Sequence, residues 1–182
     1  MSKIGIKPII IPAGVNVQIA GNQMVTVKGA KGEISTEIPR HITVAKNENI
    51  ISITRKGDDK KIRAIHGLIR SLVANAVLGV ETPWEKALEI QGVGYRAAIE
   101  GGKLVCRVGY SHPVTFEFPS DVTVEVKGNH IIVKGINKQR VGEIAAKIKD
   151  IKKPDKYKGK GIRYLGEVIK LKPGKKAKTG AA

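Results

Sequence analysis

The chain has 182 residues, of which 41% are hydrophobic but only 4% aromatic, so its core must consist mainly of Val, Ile, Leu and Ala. The formal net charge of +17 argues against an enzyme for neutral small molecules and favours a polyanionic partner such as nucleic acid, anionic membrane or acidic protein. The single cysteine, Cys106, excludes an internal disulfide, and the apolar runs are too short to predict a signal peptide or a membrane span. We therefore expect a soluble cytoplasmic protein.

The positive charge is concentrated near the C-terminus. Residues 1–80 contain 12 basic and 5 acidic side chains, and residues 81–146 contain 8 of each. Residues 147–182 contain 13 basic and 3 acidic side chains, which is a net charge of +10 in the last fifth of the chain. A surface for polyanions is therefore expected in this last part.

The first half of the chain predicts several strands followed by one helix. VNVQI and MVTVK alternate in polarity on either side of Gly21-Asn22, which indicates a hairpin, and EISTEI, ITVA and IISIT follow as further strands. From Lys60 the apolar residues recur at a spacing of three to four, as on an amphipathic helix that ends near Gly79.

The second half repeats this order. The segments ALEI, YRAAIE, KLVCRV, VTFEF, VTVEV and HIIVK predict strands, and an apolar stripe from Val141 to Ile151 predicts a helix. Pro39 aligns with Pro119 at an offset of 80 residues, whereas Leu68 in the first helix aligns with Ile144 in the second at an offset of 76. The offset between the two copies changes in the polar loop before the helix, where two copies of one fold tolerate a difference in length.

We predict an α+β fold with two tandem duplicated domains and a basic C-terminal extension. Each domain is a small, mostly antiparallel sheet with one helix packed on it. The predicted boundaries are residues 1–81 for the first repeat, 82–152 for the second and 153–182 for the basic segment. Deletion of residues 152–182 is expected to leave both domains folded.

The sequence predicts no catalytic constellation, cofactor site or metal site. The segment GVGYRA (92–97) matches a dinucleotide fingerprint only in its letters, because Gly101-Gly102 would break the helix that such a site requires. KGKGIR lacks the Ser or Thr of a P-loop. The four histidines and Cys106 show no metal-ligand spacing, so they are expected to be surface or packing residues.

The segment PDKYKGKGIRYLGE (154–167) combines Lys, Gly and Tyr in a way that favours polyanion binding over a solvated tail. Gly159 and Gly161 lack a Cβ, which lets a backbone approach a sugar-phosphate chain and offer N–H groups. Tyr157 and Tyr164 can stack on unpaired bases or ribose. The alternation in RYLGEVIKL predicts a short strand that holds the preceding loop in place.

PDKYKGKGIRYLGE closely resembles the C-terminal signature of the bacterial-type large-subunit ribosomal protein L-six family. The resemblance extends over the chain through SKIGIKPIIIP, LEIQGVGYRA, VGYSHPV and the tandem repeat. It implies a cytoplasmic, non-enzymatic constituent of the large ribosomal subunit whose partners are large-subunit rRNA and neighbouring ribosomal proteins. It also implies that the second domain and tail stabilise rRNA near the factor-binding region, beside the sarcin–ricin loop and the stalk base.

The signature and its charge assign RNA contact to a set of residues in and after the second helix. These are Lys152, Lys153, Lys156, Tyr157, Lys158, Gly159, Lys160, Gly161 and Arg163, with Lys170, Lys172, Lys175 and Lys176 as supporting phosphate contacts. His112 joins them because GYSHP (109–113) resembles a family loop that faces the same RNA.

Two other functions fit the charge. A general RNA- or DNA-binding module outside the ribosome would bind arbitrary duplexes with similar affinity. Attachment to a membrane surface through the polybasic tail is the weaker alternative, because neither an amphipathic helix nor a lipidation site accompanies the tail.

Overall fold

The computed structural model describes residues 3–21 and 23–174 and has the predicted α+β architecture. The described residues form thirteen strands and three helices, and every strand pair whose register is resolved is antiparallel. Contacts divide the chain into two compact units, Met1–Trp84 with Gly135–Lys138 and Glu85–Lys134 with Gln139–Ala182. The predicted boundaries 1–81, 82–152 and 153–182 stay a prediction.

Unit 1 contains two three-stranded sheets and a long helix. Its elements are α1 (Lys3–Ile6), β1 (Ile9–Ile10), β2 (Asn16–Ala20), β3 (Met24–Gly29), β4 (Gly32–Glu37), β5 (Ile42–Asn47), β6 (Ile50–Arg55) and α2 (Lys60–Glu81). The sheets have the strand orders β1-β6-β5 and β2-β3-β4. The predicted strands EISTEI, ITVA and IISIT are confirmed by β4, β5 and β6.

Helix α2 supplies one side of the core of unit 1. Val73 and Val80 of α2 are fully buried together with Val25 and Val27 of β3 and Ile51 of β6. By length and composition α2 could cross a membrane, but core helices of globular units pass the same test, and α2 buries one face in this core.

Unit 2 repeats the six strands and the long helix of unit 1 and adds one strand, but among the described residues it has no counterpart of α1. Its elements are β7 (Trp84–Gln91), β8 (Arg96–Glu100), β9 (Lys103–Arg107), β10 (Val114–Phe116), β11 (Val122–Lys127), β12 (His130–Gly135), α3 (Lys138–Ile151) and β13 (Gly161–Tyr164). The sheets have the strand orders β10-β9-β8 and β11-β12-β7-β13. Strands β11, β12 and β7 thus match β5, β6 and β1, whereas β13 has no counterpart in unit 1.

Equivalent backbone hydrogen bonds support the duplication. The N–H of Ile42 donates to the carbonyl oxygen of Pro39 at 2.9 Å, and Val122 donates to Pro119 at 3.2 Å, 80 residues later. The same turn therefore precedes β5 and β11.

The predicted alignment of the two helices is wrong by one residue. Leu68, aligned with buried Ile144, is 53% exposed. Ile69 and Val73 are the buried residues that match Ile144 and Ile148, so the helix offset is 75 (144 − 69 and 148 − 73) rather than 76. Leu68 and Ile69 are both apolar, and only packing against the sheet decides which of them faces the core.

Strand β13 makes the basic C-terminal segment part of the sheet of unit 2. It pairs with β7 in the register Gly161↔Gln91 to Tyr164↔Leu88, and Ile162 is fully buried. The observed strand begins at Gly161 and ends at Tyr164, so it overlaps the segment RYLGEVIKL, in which a short strand is predicted, only at Arg163 and Tyr164. Deletion of residues 152–182 would remove this strand and its core residue, which argues against the expectation that both domains stay folded.

The segment GVGYRA forms a turn between β7 and β8, as the Gly-Gly argument predicted. The Tyr95 N–H donates to the Gly92 carbonyl oxygen at 3.3 Å, and Gly94 has a φ of +78°. β8 follows directly, so no helix begins where a dinucleotide site would need one.

Cys106 and His66 have packing roles, whereas His41, His112 and His130 are exposed. Cys106 is buried, and burial raises the pKa of its thiol to about 11, so the thiol stays neutral and unreactive near pH 7. His66 is buried and donates from Nε2 to the Ile53 carbonyl oxygen at 2.9 Å, while Nδ1 accepts from Arg55 at 3.2 Å. No group of three or more His, Cys, Asp or Glu in the described part of the chain is placed to hold a metal ion.

Candidate RNA-binding surface

The candidate surface is formed by the basic segment, which we define as residues 152–174, and by the loop Gly109–Pro113. Within the basic segment, residues 154–160 connect α3 to β13 and are called the basic loop. The basic loop leaves α3 after Ile151 and enters β13 at Gly161, so two regular elements fix its ends.

Asp155 organises the basic loop through three hydrogen bonds. Its Oδ2 accepts the N–H of Lys158 at 2.9 Å, and its carbonyl oxygen accepts the N–H of Gly159 at 3.0 Å. Its own N–H donates to the carbonyl oxygen of Lys160 at 2.9 Å. The hydrogen bonds from the backbone N–H groups, led by that of Lys158, hold the pKa of the Asp155 carboxyl below its usual value. An Asx-type turn therefore closes the loop on itself.

The two glycines that are predicted to contact RNA, Gly159 and Gly161, are buried within the protein. Gly159 has a φ of +69° and gives its N–H to Asp155. Gly161 has a φ of +147°, and a Cβ there would lie 2.7 Å from the Cα of Pro154 and 2.8 Å from the carbonyl oxygens of Lys152 and Lys153. Backbone packing and conformation thus explain both glycines, and their contact with RNA stays a prediction.

Ion pairs anchor the basic segment beyond the loop. Arg163 donates from Nε and a terminal nitrogen to Oε2 of Glu89 at 3.0 and 2.9 Å across the β13–β7 pair. Lys149 of α3 donates to both carboxylate oxygens of Glu167 at 2.7 Å and lies 4.5 Å from the centre of the Tyr164 ring. Arg163 thus has a structural partner in Glu89, and its contact with RNA stays a prediction.

Further along, the chain folds back onto the basic loop. The N–H of Lys172 donates to the carbonyl oxygen of Lys156 at 2.8 Å. This bond brings the predicted supporting residue Lys172 beside the loop, although 16 residues separate the two in sequence (172 − 156).

Five lysines of the basic segment have neither an acidic partner nor a contact with an aromatic ring among the described residues. These are Lys156, Lys158, Lys160, Lys170 and Lys172. Lys160 is half-buried and the other four are exposed, and Tyr157 between the first two is 60% exposed. The structure therefore brings uncompensated positive charge and an accessible aromatic ring together on an ordered loop.

The other two predicted lysines at the start of the segment have partners. Lys153 pairs with Asp150 of α3 at 3.3 Å, an exposed ion pair that contributes little. Lys152 places its ammonium 4.3 Å from the centre of the Tyr110 ring. Tyr110 in turn donates from its hydroxyl to the carbonyl oxygen of Ile151 at 2.9 Å.

These contacts join the loop Gly109–Pro113 to the basic segment. His112 is exposed, and its Nδ1 lies 3.4 Å from the hydroxyl oxygen of Ser111. Its contact with RNA stays a prediction. Lys175 and Lys176 lie outside the described residues.

Sequence reasoning missed the residues that hold the surface in shape. The role of Asp155 could have been predicted, because Pro-Asp before a Gly-rich stretch is typical of an Asx turn. Tyr110, Lys149 and Glu167 carry no such local signal, since their partners are distant in sequence.

Comparison with known proteins matches both halves of the chain to one family. A family model described as Ribosomal protein L6 matches residues 11–82 and again residues 91–165, and the second match includes β13. The Large ribosomal subunit protein uL6 of Clostridioides difficile (strain 630) is 53% identical over 179 residues, or 98% of this chain and 99% of the relative. The proteins of the same name from Caldanaerobacter subterraneus subsp. tengcongensis and Persephonella marina are each 51% identical, over 98% and 96% of this chain and 99% and 98% of the relatives.

Proposed function

This chain belongs to the Ribosomal protein L6 family, and from that premise we propose that its basic segment binds large-subunit rRNA and fixes one tertiary arrangement of that RNA. The role is that of a structural component of the large ribosomal subunit, without catalysis. The observation that carries the proposal is the ordered basic loop with five uncompensated lysines in its segment.

The mechanism is electrostatic and geometric. Lysines without acidic partners neutralise phosphates and release counterions from the RNA, which supplies most of the affinity. The hydrogen bonds of Asp155 order the loop before binding, so less conformational entropy is lost when the RNA docks. Exposed Tyr157 offers a ring on which an unpaired base or ribose can stack.

We further propose that the RNA lies near the factor-binding region, beside the sarcin–ricin loop and the stalk base. The resemblance of residues 109–113 and 154–167 to family segments supports this location. Neighbouring large-subunit proteins are proposed as additional partners. A crosslinking map of purified large subunits tests the location, because crosslinks from Tyr157 to another rRNA region contradict it.

Charge reversal in the basic loop tests the RNA-binding function. Lys158→Glu with Lys160→Glu should weaken binding to transcribed large-subunit rRNA by more than tenfold in 0.15 M salt, because repulsion replaces two phosphate contacts. The matched control is Lys56→Glu with Lys61→Glu, which makes the same charge change at two exposed lysines of unit 1 that form no ion pair within the described part of the chain. Equal losses in the two variants would contradict the assignment of the site to the basic loop.

The salt dependence of binding provides a second measurement. If each of the five unpaired lysines neutralises one phosphate, log affinity should fall with log salt at a slope of about −3.5 to −4.5. Competition with random RNA of equal length separates the ribosomal role from a general nucleic-acid module. Equal competition by both RNAs would favour the general module.

A further inference from the structure

Two arginines face each other on the hairpin of β8 and β9 in unit 2. Arg96 and Arg107 are directly opposed in the antiparallel register, so their side chains leave the sheet on the same face. Both are exposed, and neither forms an ion pair with a described residue. Like charges directly opposite each other destabilise a strand pair, so this arrangement calls for an anion that binds between them.

A shallow cavity lies between the two arginines. Its volume is about 260 Å³, and it is lined by Arg96, Ala97, Ala98, Glu100, Val105 and Arg107. Ala98 and Val105 are the next cross-strand pair on the same face of the hairpin as the arginines, and they give the cavity a small apolar floor. Glu100 also lines the cavity, from the far end of β8, where its Cα is four residues or roughly 13 Å from the Cα of Arg96.

Tyr95 fixes the end of the hairpin that carries the arginines. Its ring lies so close to Gly92 and Gly109 that a Cβ at either position would be 2.7 Å or 3.1 Å from a ring atom. Both glycines have positive φ, +154° and +76°. The ring thereby packs the turn before Arg96 against the loop that follows β9, at the ends of the two strands that carry the arginines.

The loop that begins at Gly109, which the Tyr95 ring contacts, also forms part of the candidate RNA-binding surface. Tyr110 follows Gly109, donates its hydroxyl hydrogen to Ile151 and carries the Lys152 ammonium over its ring. The arginine pair is therefore linked through two packed tyrosines to the first residue of the basic segment.

We propose that Arg96 and Arg107 form a second anion site, which binds one phosphodiester group of the RNA backbone. This inference rests on the proposed RNA-binding function and assigns the GVGYRA motif to it, through Arg96. Two guanidinium groups present paired N–H donors that match two phosphate oxygens, while the ribose packs on Ala98 and Val105. The bound phosphate removes the repulsion between the arginines.

Neutralisation of the pair provides the test. Arg96→Gln with Arg107→Gln should bind transcribed large-subunit rRNA roughly tenfold more weakly in 0.15 M salt, with a salt slope shallower by about 0.7 to 0.9. Arg40→Gln with Arg63→Gln is the control, because it removes two exposed arginines of unit 1 that make no ion pair with any residue the structure describes. The midpoint of thermal unfolding should stay equal or rise in the test variant, because a like-charge pair is removed.

A charge-preserving variant keeps the test valid if the Gln variant folds poorly. Arg96→Lys with Arg107→Lys retains both charges but loses the planar donor pairs, so affinity should fall several-fold with little change of slope. Both variants are measured beside Lys158→Glu with Lys160→Glu. If that loop variant loses affinity while the Gln and Lys variants bind like their control, the second site is wrong and the proposed function stands. If wild type itself fails to bind, the proposed function is wrong.

The remaining outcome concerns a protein partner. Unchanged affinity for free rRNA, with reduced incorporation of the Gln variant into large subunits, would assign the arginine pair to an acidic protein surface. That result would overturn the phosphate site.

Discussion

Oδ2 of Asp155 accepts the backbone N–H of Lys158 at 2.9 Å, so an acidic residue determines the shape of the most basic loop in the described chain. The contact holds Lys156, Tyr157 and Lys158 in one turn, whose next residues bond back to Asp155. A count of charges alone would treat this aspartate as unfavourable for binding a polyanion, whereas the structure shows that it orders the basic loop.

We predict that Asp155→Ala weakens rRNA binding about threefold to tenfold, although it raises the net charge by one. The substitution removes the acceptor that orders the loop, and one lost hydrogen bond of this kind changes an equilibrium by that factor. Asp155→Asn keeps an acceptor oxygen and should bind almost like wild type. The affinities are measured by filter binding at fixed salt.

The control for this prediction is Asp121→Ala, which makes the same charge change away from the basic segment, at a residue 4.0 Å from Arg140. It should bind equally or slightly more tightly. Tighter binding by Asp155→Ala would show that net charge outweighs the order of the loop.

Gly161→Ala is predicted to be more destabilising than Gly159→Ala. At Gly161 the new Cβ would meet three backbone atoms within 2.8 Å, which cannot move aside, and φ is +147°. At Gly159 the nearest atom outside the local chain is Leu171 Cδ2 at 3.5 Å, so only the φ of +69° opposes a side chain.

We expect a loss of about 3 kcal/mol or more of unfolding free energy for Gly161→Ala. The expected loss for Gly159→Ala is about 1–2 kcal/mol. Urea denaturation measures both values. Equal losses would mean that β13 shifts away from the Lys152 and Lys153 carbonyl groups without cost.

Glu167 gives the chain an acid-dependent contribution to stability. The hydrogen-bonded ion pair with Lys149, aided by the Tyr164 N–H, holds the pKa of Glu167 below its usual value of about 4.5. Since the folded pKa is the lower one, the stabilisation is complete above about pH 4.5 and is lost as pH falls through the folded value.

Glu167→Gln should therefore lower the thermal unfolding midpoint by a constant amount between pH 5.5 and 8, with a free-energy loss of about 1 kcal/mol or less. The difference from wild type should shrink below pH 4.5. The control, Glu117→Gln, breaks an ion pair with Lys103 in which Glu117 is 72% exposed, and it should change the midpoint less. A difference in midpoint that persists at pH 3 would show that the glutamine destabilises the protein for a reason other than the lost charge.

Local signals were sufficient to predict the strands and turns. Alternating polarity and turn residues such as Gly101-Gly102 depend only on neighbours in sequence, and the hairpin Glu100↔Lys103 closes around that pair as expected. The choice between Leu68 and Ile69 as the buried residue could not be made in this way. It depends on the angle at which α2 meets the sheet, which is a tertiary property.

The candidate site was predictable in location but not in the state of its charges. The lysine density and the glycines identified residues 152–163 correctly as a distinct basic region. No local signal in the sequence shows that Arg163 forms an ion pair with Glu89, 74 residues earlier, whereas Lys156 and Lys158 have no acidic partner among the described residues. The pairing of β13 with β7 creates that difference, because it sets the two partners side by side.

The pairing of β13 with β7 also orders events during synthesis. The first and last strands of unit 2 are neighbours, so its larger sheet stays incomplete until Tyr164 has been made. Closing so long a stretch of chain is entropically costly and comes late in folding. The loop 154–160 acquires its fixed shape only at that step, because β13 forms its far end. A nascent or misfolded chain therefore carries the same lysines without the arrangement that the finished fold gives them.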